Sequence, residues 1–546
     1  MTKTSELFLD RTLTGMLVHQ AERSADKVAL TIVGQDLTYA DVIARSNSVA
    51  RGLLELGVGH GDVVAVLAEN CADQVLIQFA TARLRAIEVM LNTAYKGDFL
   101  SHQLKVSGAK VIVVDEALVA NLLEVVDLLP ELEHIIVRGG SASLDAPSRL
   151  TVSEVALLHG HDQAPLDRED PLWSDPSTIT FTSGTTGPSK GATMTQNYMC
   201  NFAEIEASIW YRTPEDTFYS CGPLFHLAAK GIGVLGAMRR GVRCVQDERL
   251  SVSTFWKRIR EENCNATLML GSVAMLLWTL DPSEDEGVDT IVGVPAPPVS
   301  LQPAMEERWG CKFESVYGMT EAAPLSVTGP TIPLRPGSSG AIVREYFDVR
   351  IFDDNDFELP RGEIGEVVVR PMQPHSIFEG YYREPEATAI KFRNLWFHTG
   401  DLGRIDDDDY FYFEDRKDDY LRRRGENISS YEVETAIVKH PAVLQVGVVG
   451  VESEMAEQEV KASIVLRPGV ALDQVDLIDH CIKSMPYFAV PRYVEYLSEL
   501  PFTPSGKMRK EKLRATGTSG CWDREAAGIQ LSGKNRSGVP APEVLA

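Results

Sequence analysis

The chain contains 546 residues, of which 44% are hydrophobic and 24% are charged, as is typical of a folded globular protein with several domains. Its 53 lysines and arginines face 78 aspartates and glutamates, which gives a formal charge of −25 at pH 7. This acidity argues against nonspecific binding to nucleic acid or to anionic lipid, because both need a basic surface.

In chain order, the first third alternates apolar strands with helices. A helix is predicted from Thr38 to Gly57, because Thr38 and Asp41 match the start of a capping box. The other predicted elements are strands over 27–33, 63–67, 87–91, 111–114 and 178–181, and a helix over 73–83. This alternation predicts an α/β fold built on largely parallel sheets.

The second half predicts two smaller units. Strands over 348–352 and 366–370 indicate a small β subdomain, and the charged stretches 406–409 and 414–424 indicate a break that is partly a solvated linker. Beyond it, strands near 444–449, 460–466 and 493–497 and a helix near 474–485 predict a compact α+β domain. We therefore predict an N-terminal domain over 1–415, a mobile C-terminal domain over 416–514, and a mostly disordered tail over 515–546 that Trp522 could anchor.

No segment predicts export or membrane insertion. The first 20 residues lack the apolar core of a signal peptide, and the longest apolar run, near 266–278, is too short to span a bilayer. The cysteines include no C-x-x-C pair, which favours reduced thiols and a cytoplasmic location. These features leave the oligomeric state open, including a homodimer.

Residues 182–191 read Thr-Ser-Gly-Thr-Thr-Gly-Pro-Ser-Lys-Gly and follow a predicted strand. Glycines allow a backbone to approach a ligand closely, and the hydroxyls together with Lys190 can bind phosphate oxygens. The block is not a Walker A loop, because Ser189 and Gly191 stand where that motif needs Gly and Ser or Thr. On composition alone, a solvated loop is an equally good interpretation.

Six further blocks lie downstream: Pro223-Leu-Phe-His226, Tyr317-Gly-Met-Thr-Glu321, Trp396-Phe-His-Thr-Gly-Asp401, Asp415-Arg416-Lys-Asp418, Arg424-Gly425-Glu-Asn and Pro501-Phe-Thr-Pro-Ser-Gly-Lys507. With the 182–191 block, their order and spacing closely resemble the acyl-adenylate-forming superfamily of acyl-CoA synthetases, adenylation domains and luciferases. The resemblance covers residues 10–514. It is greatest to the acyl-CoA ligase branch that includes crotonobetaine/carnitine-CoA ligases.

The resemblance implies an ATP-dependent carboxylic acid:CoA ligase that uses Mg²⁺ and acts on a small-molecule acid. The implied catalytic residues are Lys507, Glu321, Thr320 and His226. The implied ATP and AMP contacts are Thr182, Ser183, Gly184, Thr185, Thr186, Gly187, Lys190, Ala296, Pro297, Tyr317, Gly318, Met319, Asp401 and Arg416. Asp418 would be the hinge, Ala229, Lys230, Gly271 and Ser272 would line the acyl pocket, and Arg424 and Gly425 would contact CoA.

The residue types suit these roles. Tyr317 can stack on adenine, and Glu321 offers the hard oxygen that Mg²⁺ prefers beside phosphates. Asp401 has acceptors for ribose hydroxyls, which Arg416 could join as a donor. Without the resemblance, Tyr317 could be an aromatic residue of a turn and Glu321 a surface carboxylate, and a lone Asp after Thr-Gly, such as Asp401, is usually a turn residue. The segment 294–297 departs from the Gly-Gly-Ala-Pro that is frequent in the superfamily, so its alignment is uncertain by one residue.

In the superfamily the C-terminal domain rotates about the hinge between two half-reactions. The lysine that matches Lys507 bridges the acid and the nucleotide during adenylation, where its charge offsets repulsion between the anions. Rotation would then remove Lys507 and bring the segment 424–426 toward the CoA tunnel. Without the resemblance, Lys507 would be interpreted as part of a solvated basic face.

The acid itself is not readable from the sequence. His226 matches a position that gates the acyl tunnel, although a lone histidine in an apolar loop is usually a packing residue. We expect Lys230 to reach solvent; the alternative is that it points inward, which would suit a polar or anionic substrate and disfavour a quaternary ammonium such as carnitine.

Three other functions share these motifs. Loading of a carrier protein is the main alternative, but no carrier domain follows residue 514, and the block has Phe225-His226 where amino-acid-activating relatives have Phe-Asp. A luciferase-type oxidation would need a specialised pocket. A non-catalytic binding protein would be expected to lack Lys507 or Glu321.

Overall fold

The computed structural model describes residues 11–140, 144–182, 188–210, 213–282, 285, 290–293, 301–329, 331–416, 420–423, 426–453, 458–501 and 508–531. Its first part alternates helices with strands, as predicted. In chain order the elements up to residue 140 are α1 (Leu13–Ser24), β1 (Val28–Ile32), β2 (Gln35–Thr38), α2 (Tyr39–Glu55), β3 (Val63–Leu67), α3 (Ala72–Leu84), β4 (Ile87–Met90), α4 (Gly97–Ser107), β5 (Val111–Asp115), α5 (Val119–Leu123) and β6 (His134–Arg138).

The predicted capping box at the start of α2 is confirmed. The Thr38 hydroxyl accepts the Asp41 N–H at 3.0 Å, and the Asp41 carboxylate accepts the Thr38 N–H at 2.9 Å. Each side chain thereby satisfies a backbone donor that the helix cannot pair internally.

The middle of the chain continues the pattern and adds a π-helix. Its elements are β7 (Thr151–Glu154), β8 (Pro176–Thr182), β9 (Lys190–Thr195), α6 (Gln196–Trp210), β10 (Thr217–Ser220), the π-helix (Ala229–Gly236), α7 (Ala237–Arg240), β11 (Arg243–Gln246), α8 (Phe255–Glu261), β12 (Ala266–Met269), α9 (Gly271–Trp278), β13 (Thr290–Gly293), α10 (Gln302–Trp309), β14 (Phe313–Met319), β15 (Ala322–Val327) and β16 (Ala341–Ile342).

These strands build two large, mostly parallel sheets. The first has the order β7-β6-β5-β3-β4-β8-β9, in which β9 is antiparallel at one edge. The second has the order β16-β15-β14-β13-β12-β10-β11-β1-β2, with antiparallel strands at its edges. Buried side chains from helices α1, α2, α3 and α6 join both sheets in one hydrophobic cluster. The predicted α/β class is therefore confirmed.

A small antiparallel sheet follows, as predicted. It contains β17 (Phe347–Phe352), β18 (Gly365–Pro371), β19 (Phe392–Arg393), β20 (Trp396–Ile405) and β21 (Phe411–Arg416), with helix α11 (Pro385–Lys391) before β19.

The predicted break at 406–409 is wrong. These residues form the turn between β20 and β21, in which the Tyr410 N–H donates to the Asp406 carboxylate at 2.9 Å. Arg335 pairs with Asp406 at 3.1 Å, and Arg344 pairs with Asp409 at 2.8 Å. Arginines that precede the small sheet therefore hold the acidic run in a turn of that sheet, and the run is not a linker.

Residues 420–531, which we call the C-terminal unit, have the predicted α+β composition. Their elements are β22 (Tyr420–Arg423), β23 (Glu426–Ser429), α12 (Ser430–Val438), β24 (Val443–Glu452), β25 (Gln458–Leu466), α13 (Gln474–Ser484), β26 (Tyr493–Tyr496), α14 (Lys510–Ala515) and β27 (Trp522–Asp523). The larger sheet has the order β24-β25-β26-β27. No helix in the described ranges is long and apolar enough to cross a membrane.

The prediction of a disordered tail is wrong for residues 515–531. Strand β27 pairs with β26, and Trp522 and Leu531 pack on the hydrophobic core of the C-terminal unit. Arg524 is fully buried, and Arg492 donates to the Asp523 carboxylate at 3.2 Å. Residues 532–546 lie outside the described residues.

Candidate active site

The predicted site residues follow the carboxyl ends of parallel strands. Strands β10, β12, β13 and β14 run parallel in the second sheet. His226, Gly271 and Thr320 follow the last residues of β10, β12 and β14 by six, two and one positions. Because the carboxyl ends of parallel strands meet at one edge of a sheet, the topology brings these motifs to the same side of the molecule.

The first and last residues of the 182–191 block belong to the hairpin strands β8 and β9. Phe181 pairs with Gly191, and Thr182 pairs with Lys190. Beyond this pairing, Lys190 Nζ lies 5.8 Å from the centre of the Tyr381 ring. Ser183, Gly184, Thr185, Thr186 and Gly187 lie outside the described residues.

Glu321 joins this hairpin to the Tyr317–Glu321 block. Its Oε1 accepts the Thr182 hydroxyl at 3.2 Å and the Tyr381 hydroxyl at 2.8 Å, and the residue is only 7% exposed. The neighbouring Thr320 carbonyl accepts the hydroxyl of Tyr198 at 3.0 Å. The carboxylate is therefore held in one orientation beside the end of the hairpin.

Tyr317 and Asp401 form a second contact between predicted site residues. The Tyr317 hydroxyl donates to Asp401 Oδ2 at 2.8 Å, and the Tyr317 ring packs 4.3 Å from that of Phe411. In the register of β20 and β21, Asp401 is the partner of Arg416. Ala323 leaves no room for a side chain at Gly318, because a Cβ added there would lie 2.8 Å from the Cβ of Ala323.

His226 meets the C-terminal unit. Its Nε2 lies 3.1 Å from Glu426 Oε1, and its ring lies 4.7 Å from that of Phe225. Glu426 directly follows the predicted CoA contacts Arg424 and Gly425 in the chain. Arg424 and Gly425 lie outside the described residues, so the predicted CoA contacts stay predictions.

The expectation that Lys230 reaches solvent is wrong. Its side chain is 0% exposed, and Nζ donates to the equally buried Glu88 Oε2 at 2.6 Å. Lys230 lies in the π-helix, a rare local structure that is frequent at functional sites. Since Glu88 balances its charge, Lys230 gives no argument against a cationic substrate.

Close packing holds the π-helix against α6. A Cβ added at Gly231 would lie 2.2 Å from the Phe202 ring, so only glycine fits there. Ala229 and Gly271 are both buried. The assignment of Ala229, Lys230, Gly271 and Ser272 to an acyl pocket stays a prediction.

The C-terminal unit also contacts the end of the 182–191 block. The Ser189 N–H donates to Glu432 Oε1 at 2.9 Å, and the Ser189 carbonyl lies 2.7 Å from His102 Nε2. Burial raises the pKa of Glu432, while the hydrogen bond from Ser189 and the neighbouring His102 and Lys190 side chains act in the opposite direction.

A docking seam lies beside this contact and consists of Tyr95, Asp98, Phe99, Lys439 and Phe488. Phe99, which is 5% exposed, belongs to the hydrophobic core of the C-terminal unit. The Tyr95 and Phe488 rings lie 6.3 Å apart, and Asp98 pairs with Lys439. The seam holds the C-terminal unit against the N-terminal end of α4.

Several predicted residues cannot be placed in this geometry. Ala296, Pro297, Asp418 and Lys507 lie outside the described residues, and Met319 has no described contact with the other site residues. Their roles stay predictions.

Four residues of this region were missed in the sequence: Glu88, Tyr198, Tyr381 and Glu432. Glu88 left a signal, because it is a charged residue inside the otherwise apolar strand β4. The other three contact the site only through the tertiary fold, and no local pattern marks them.

Comparison with known proteins identifies relatives of this chain. A family model described as AMP-binding enzyme matches residues 17–382, and one described as AMP-binding enzyme C-terminal domain matches residues 432–507. Crotonobetaine/carnitine–CoA ligase of Salmonella typhi is 30% identical over 522 residues, which cover 90% of this chain and 96% of that protein.

Solved structures show the same fold. The anthranilate CoA ligase AuaEII in complex with anthranoyl-AMP matches with a TM-score of 0.69 and 26% identity, over 95% of this chain and 98% of that one. The amide bond synthetase McbA from Marinactinospora thermotolerans matches with a TM-score of 0.80 and 24% identity, over 92% and 99% of the two chains.

Proposed function

Because the chain belongs to the acyl-adenylate-forming superfamily of AMP-binding enzymes, as its motifs predicted, we propose that it is an ATP-dependent carboxylic acid:CoA ligase. A carboxylate oxygen of the acid bonds to the α-phosphorus of ATP while the bond to the β-phosphate oxygen breaks, and pyrophosphate leaves. The CoA sulfur then bonds to the acyl carbon and gives up its proton, and AMP leaves with the electron pair of the broken C–O bond.

The observation that carries this proposal is the hydrogen bond between Thr182 and Glu321. It places a hairpin rich in phosphate-binding residue types beside a buried carboxylate, although the two residues are 139 positions apart. Nucleotidyl transfer depends mainly on such positioning and on charge neutralisation, with little covalent help from the protein.

Glu321 fits the Mg²⁺ that the reaction would need. Its carboxylate supplies hard oxygen, and Thr182 and Tyr381 fix its orientation through Oε1. In the parts of the chain that are described, no group of three or more His, Cys, Asp and Glu side chains could hold a metal ion. Bound at Glu321, Mg²⁺ would neutralise phosphate charge and take its other ligands from phosphate oxygens and water.

The contact between Tyr317 and Asp401 supports a nucleotide site. Tyr317 fixes the Asp401 carboxylate, which is 1% exposed, so that ring and carboxylate form one preorganised unit. An adenine could stack beside Tyr317 while a ribose hydroxyl donates to Asp401. In this proposal Arg416, whose backbone pairs with that of Asp401, completes the ribose contact.

The contact between Glu426 and His226 supports an arrangement suited to thioester formation. Rotation of the C-terminal unit would bring the segment 424–426 to the acyl tunnel that His226 gates, and the 3.1 Å contact joins these two elements. Lys507 would enter the site in the other arrangement, during adenylation.

A panel of short-chain, aryl, steroid side-chain and dicarboxylic acids, together with carnitine and crotonobetaine, tests the proposal. We expect one class of acid to stimulate pyrophosphate release and to yield AMP and a thioester only when CoA is present. Glu321→Gln is the matched control and should slow the stimulated release roughly a hundredfold. Release that stays independent of CoA would favour loading of a carrier protein, and release that no acid stimulates would contradict the whole assignment.

A further inference from the structure

We propose that Glu525 is a positioning residue for thioester formation, although it lies in the tail beyond residues 432–507, which match the C-terminal family model. It acts through the buried guanidinium of Arg423, which fixes the end of the β22–β23 hairpin and so places Glu426 on His226. This inference rests on the proposed function and gives the ordered tail a role in it.

The hairpin connects Arg423 directly to the contact with the N-terminal region. Arg423 is the last residue of β22, and its partner in the register of the hairpin is Glu426, the first residue of β23. Glu426 Oε1 lies 3.1 Å from His226 Nε2. Because paired residues of a hairpin are tied by their backbones, a displacement of Arg423 also displaces the carboxylate that meets His226.

The Arg423 side chain is held by three separate parts of the C-terminal unit. It is only 2% exposed, and its Nη1 donates to the Phe488 carbonyl at 3.0 Å. Its Nε lies 2.6 Å from Glu459 Oε2, and its Nη2 lies 3.6 Å from Glu525 Oε1. A guanidinium is planar and rigid, so these three contacts fix its orientation. Since Phe488 belongs to the docking seam, the guanidinium also connects that seam with the hairpin.

The balance of charge explains why Glu525 matters for Arg423. The surrounding network joins arginines and carboxylates in equal number, namely Arg423, Arg492, Arg524, Glu459, Asp523 and Glu525. Glu525 lies within 3.6 Å of each of the arginines. Because arginine does not lose its charge, neutralising Glu525 leaves like charges close together, and their repulsion pushes Arg423 away.

The tail places Glu525 independently of the hairpin. Strand β27 pairs with β26, and the Arg524 N–H donates to the Arg492 carbonyl at 2.9 Å. The Glu525 N–H donates to Asp523 Oδ1 at 2.8 Å, while Arg524 itself is fully buried. The backbone at Glu525 is therefore fixed by contacts that do not include β22 or β23, so Glu525 anchors Arg423 and does not follow it.

Hydrogen exchange in the full chain tests this anchoring without any substrate. Glu525→Gln removes the charge and keeps the size of the side chain. We expect it to speed amide exchange about tenfold or more in peptides that cover residues 420–429 and to leave peptides from α13 unchanged. Glu499→Gln is the matched control, because Glu499 is an exposed glutamate of the same unit, and it should change neither.

Steady-state kinetics test the positioning, with the acid of the panel above that gives the highest rate. Glu525→Gln should lower kcat/KM for CoA about tenfold, the effect of losing one contact to a charged group. KM for ATP and the burst of pyrophosphate release without CoA should stay as in the wild type, because the hairpin is proposed to act only in thioester formation. Glu525→Asp, which keeps the charge, should retain most of the wild-type kcat/KM.

A double-variant comparison separates positioning from a general loss of stability. If Glu525 acts through the hairpin, adding Glu525→Gln to Glu426→Ala should lower kcat/KM for CoA little further, because the contact with His226 is already lost. A merely structural role would add its full loss in both backgrounds and would slow adenylation as well.

Three results would overturn the inference: unchanged exchange of residues 420–429 in Glu525→Gln, exchange that rises throughout the C-terminal unit, or a loss in kcat/KM for CoA that adds fully to that of Glu426→Ala. If no acid of the panel stimulates pyrophosphate release in the wild type, the proposed function fails. The exchange of the hairpin then still decides whether Glu525 anchors it.

Discussion

Lys230 and Glu88 form a fully buried ion pair, in which Nζ of Lys230 lies 2.6 Å from Oε2 of Glu88. The pair ties the π-helix after His226 to strand β4 of the other large sheet. Burial raises the pKa of Glu88 and lowers the pKa of Lys230, and in each case the partner's charge acts in the opposite direction. The two charges therefore depend on each other.

Removing one partner should destabilise the protein strongly. Lys230→Met or Glu88→Leu alone leaves the other group buried without its counter-charge, and we expect a loss of about 3–5 kcal/mol in the free energy of unfolding. The double variant Glu88→Leu/Lys230→Met should recover most of this loss. Urea unfolding of all four proteins measures the coupling, and losses that simply add would contradict it.

Lys507→Ala should separate the two half-reactions. Because the ammonium is proposed to offset repulsion between the carboxylate and the α-phosphate, acyl-adenylate formation should be lost. Thioester formation from supplied acyl-adenylate and CoA should continue. Lys510→Ala is a suitable control, because Lys510 bonds to Ser430 and Glu434 within the C-terminal unit. Equal loss of both half-reactions would contradict the proposed role of Lys507 in adenylation.

Glu321→Gln should raise the Mg²⁺ concentration that adenylation needs. The amide keeps an oxygen for the Thr182 and Tyr381 hydroxyls but loses the charge, so adenylation should slow roughly a hundredfold and need more Mg²⁺. Tyr381→Phe, which removes only the 2.8 Å hydrogen bond, should have a smaller effect. Initial rates across a Mg²⁺ titration measure both, and an unchanged Mg²⁺ dependence in Glu321→Gln would argue against metal binding there.

Tyr317→Phe should weaken nucleotide binding. The ring that packs on Phe411 is retained, while the hydrogen bond to Asp401 is lost. We expect KM for ATP to rise about tenfold with little change in kcat, since the lost bond orients a binding group rather than a reacting one. Steady-state kinetics separate the two constants, and a fall in kcat at unchanged KM would contradict this role.

His440 should make the C-terminal unit sensitive to mild acid. Partial burial and then the neighbouring His480 lower the pKa of His440, whereas Asp476 raises it, and Nδ1 accepts the Ala442 N–H at 3.2 Å only when the ring is neutral there. A histidine pKa that is lower in the folded state removes stability as pH falls below the unfolded value of about 6.5.

The melting temperature should therefore fall more in the wild type than in His440→Asn when the pH is lowered from about 7.5 to about 5.5. Asparagine preserves an acceptor for Ala442 but does not titrate. An equal fall in both proteins would show that other groups cause the acid sensitivity.

Local chemistry explains which parts of the fold were predictable. Strand 63–67 and the Thr38 cap depend on neighbours within a few residues, and both occur as predicted. The turn at 406–409 was misread because its arginine partners Arg335 and Arg344 are distant in the chain. For the same reason, the order of residues 515–531 depends on pairing with β26, which their composition does not show.

The candidate site was likewise predictable only where local sequence motifs identify its residues. Motif order indicated which residues belong together, and the structure brings Thr182 to Glu321 and Tyr317 to Asp401. The contact of Ser189 with Glu432 joins residues 243 positions apart across two units, and no periodicity in the sequence reports it. Lys230 was misjudged because its partner lies 142 positions away in a separate strand.

Phe99 gives the proposed rotation a temperature dependence. Phe99 lies in the N-terminal region, but its ring is enclosed by the core of the C-terminal unit. Undocking would therefore expose this ring to water, at a free-energy cost of roughly 1.5–3 kcal/mol. Hydrophobic attraction weakens on cooling. Cold should therefore release the C-terminal unit, and warmth should favour the docked arrangement, which we propose for thioester formation.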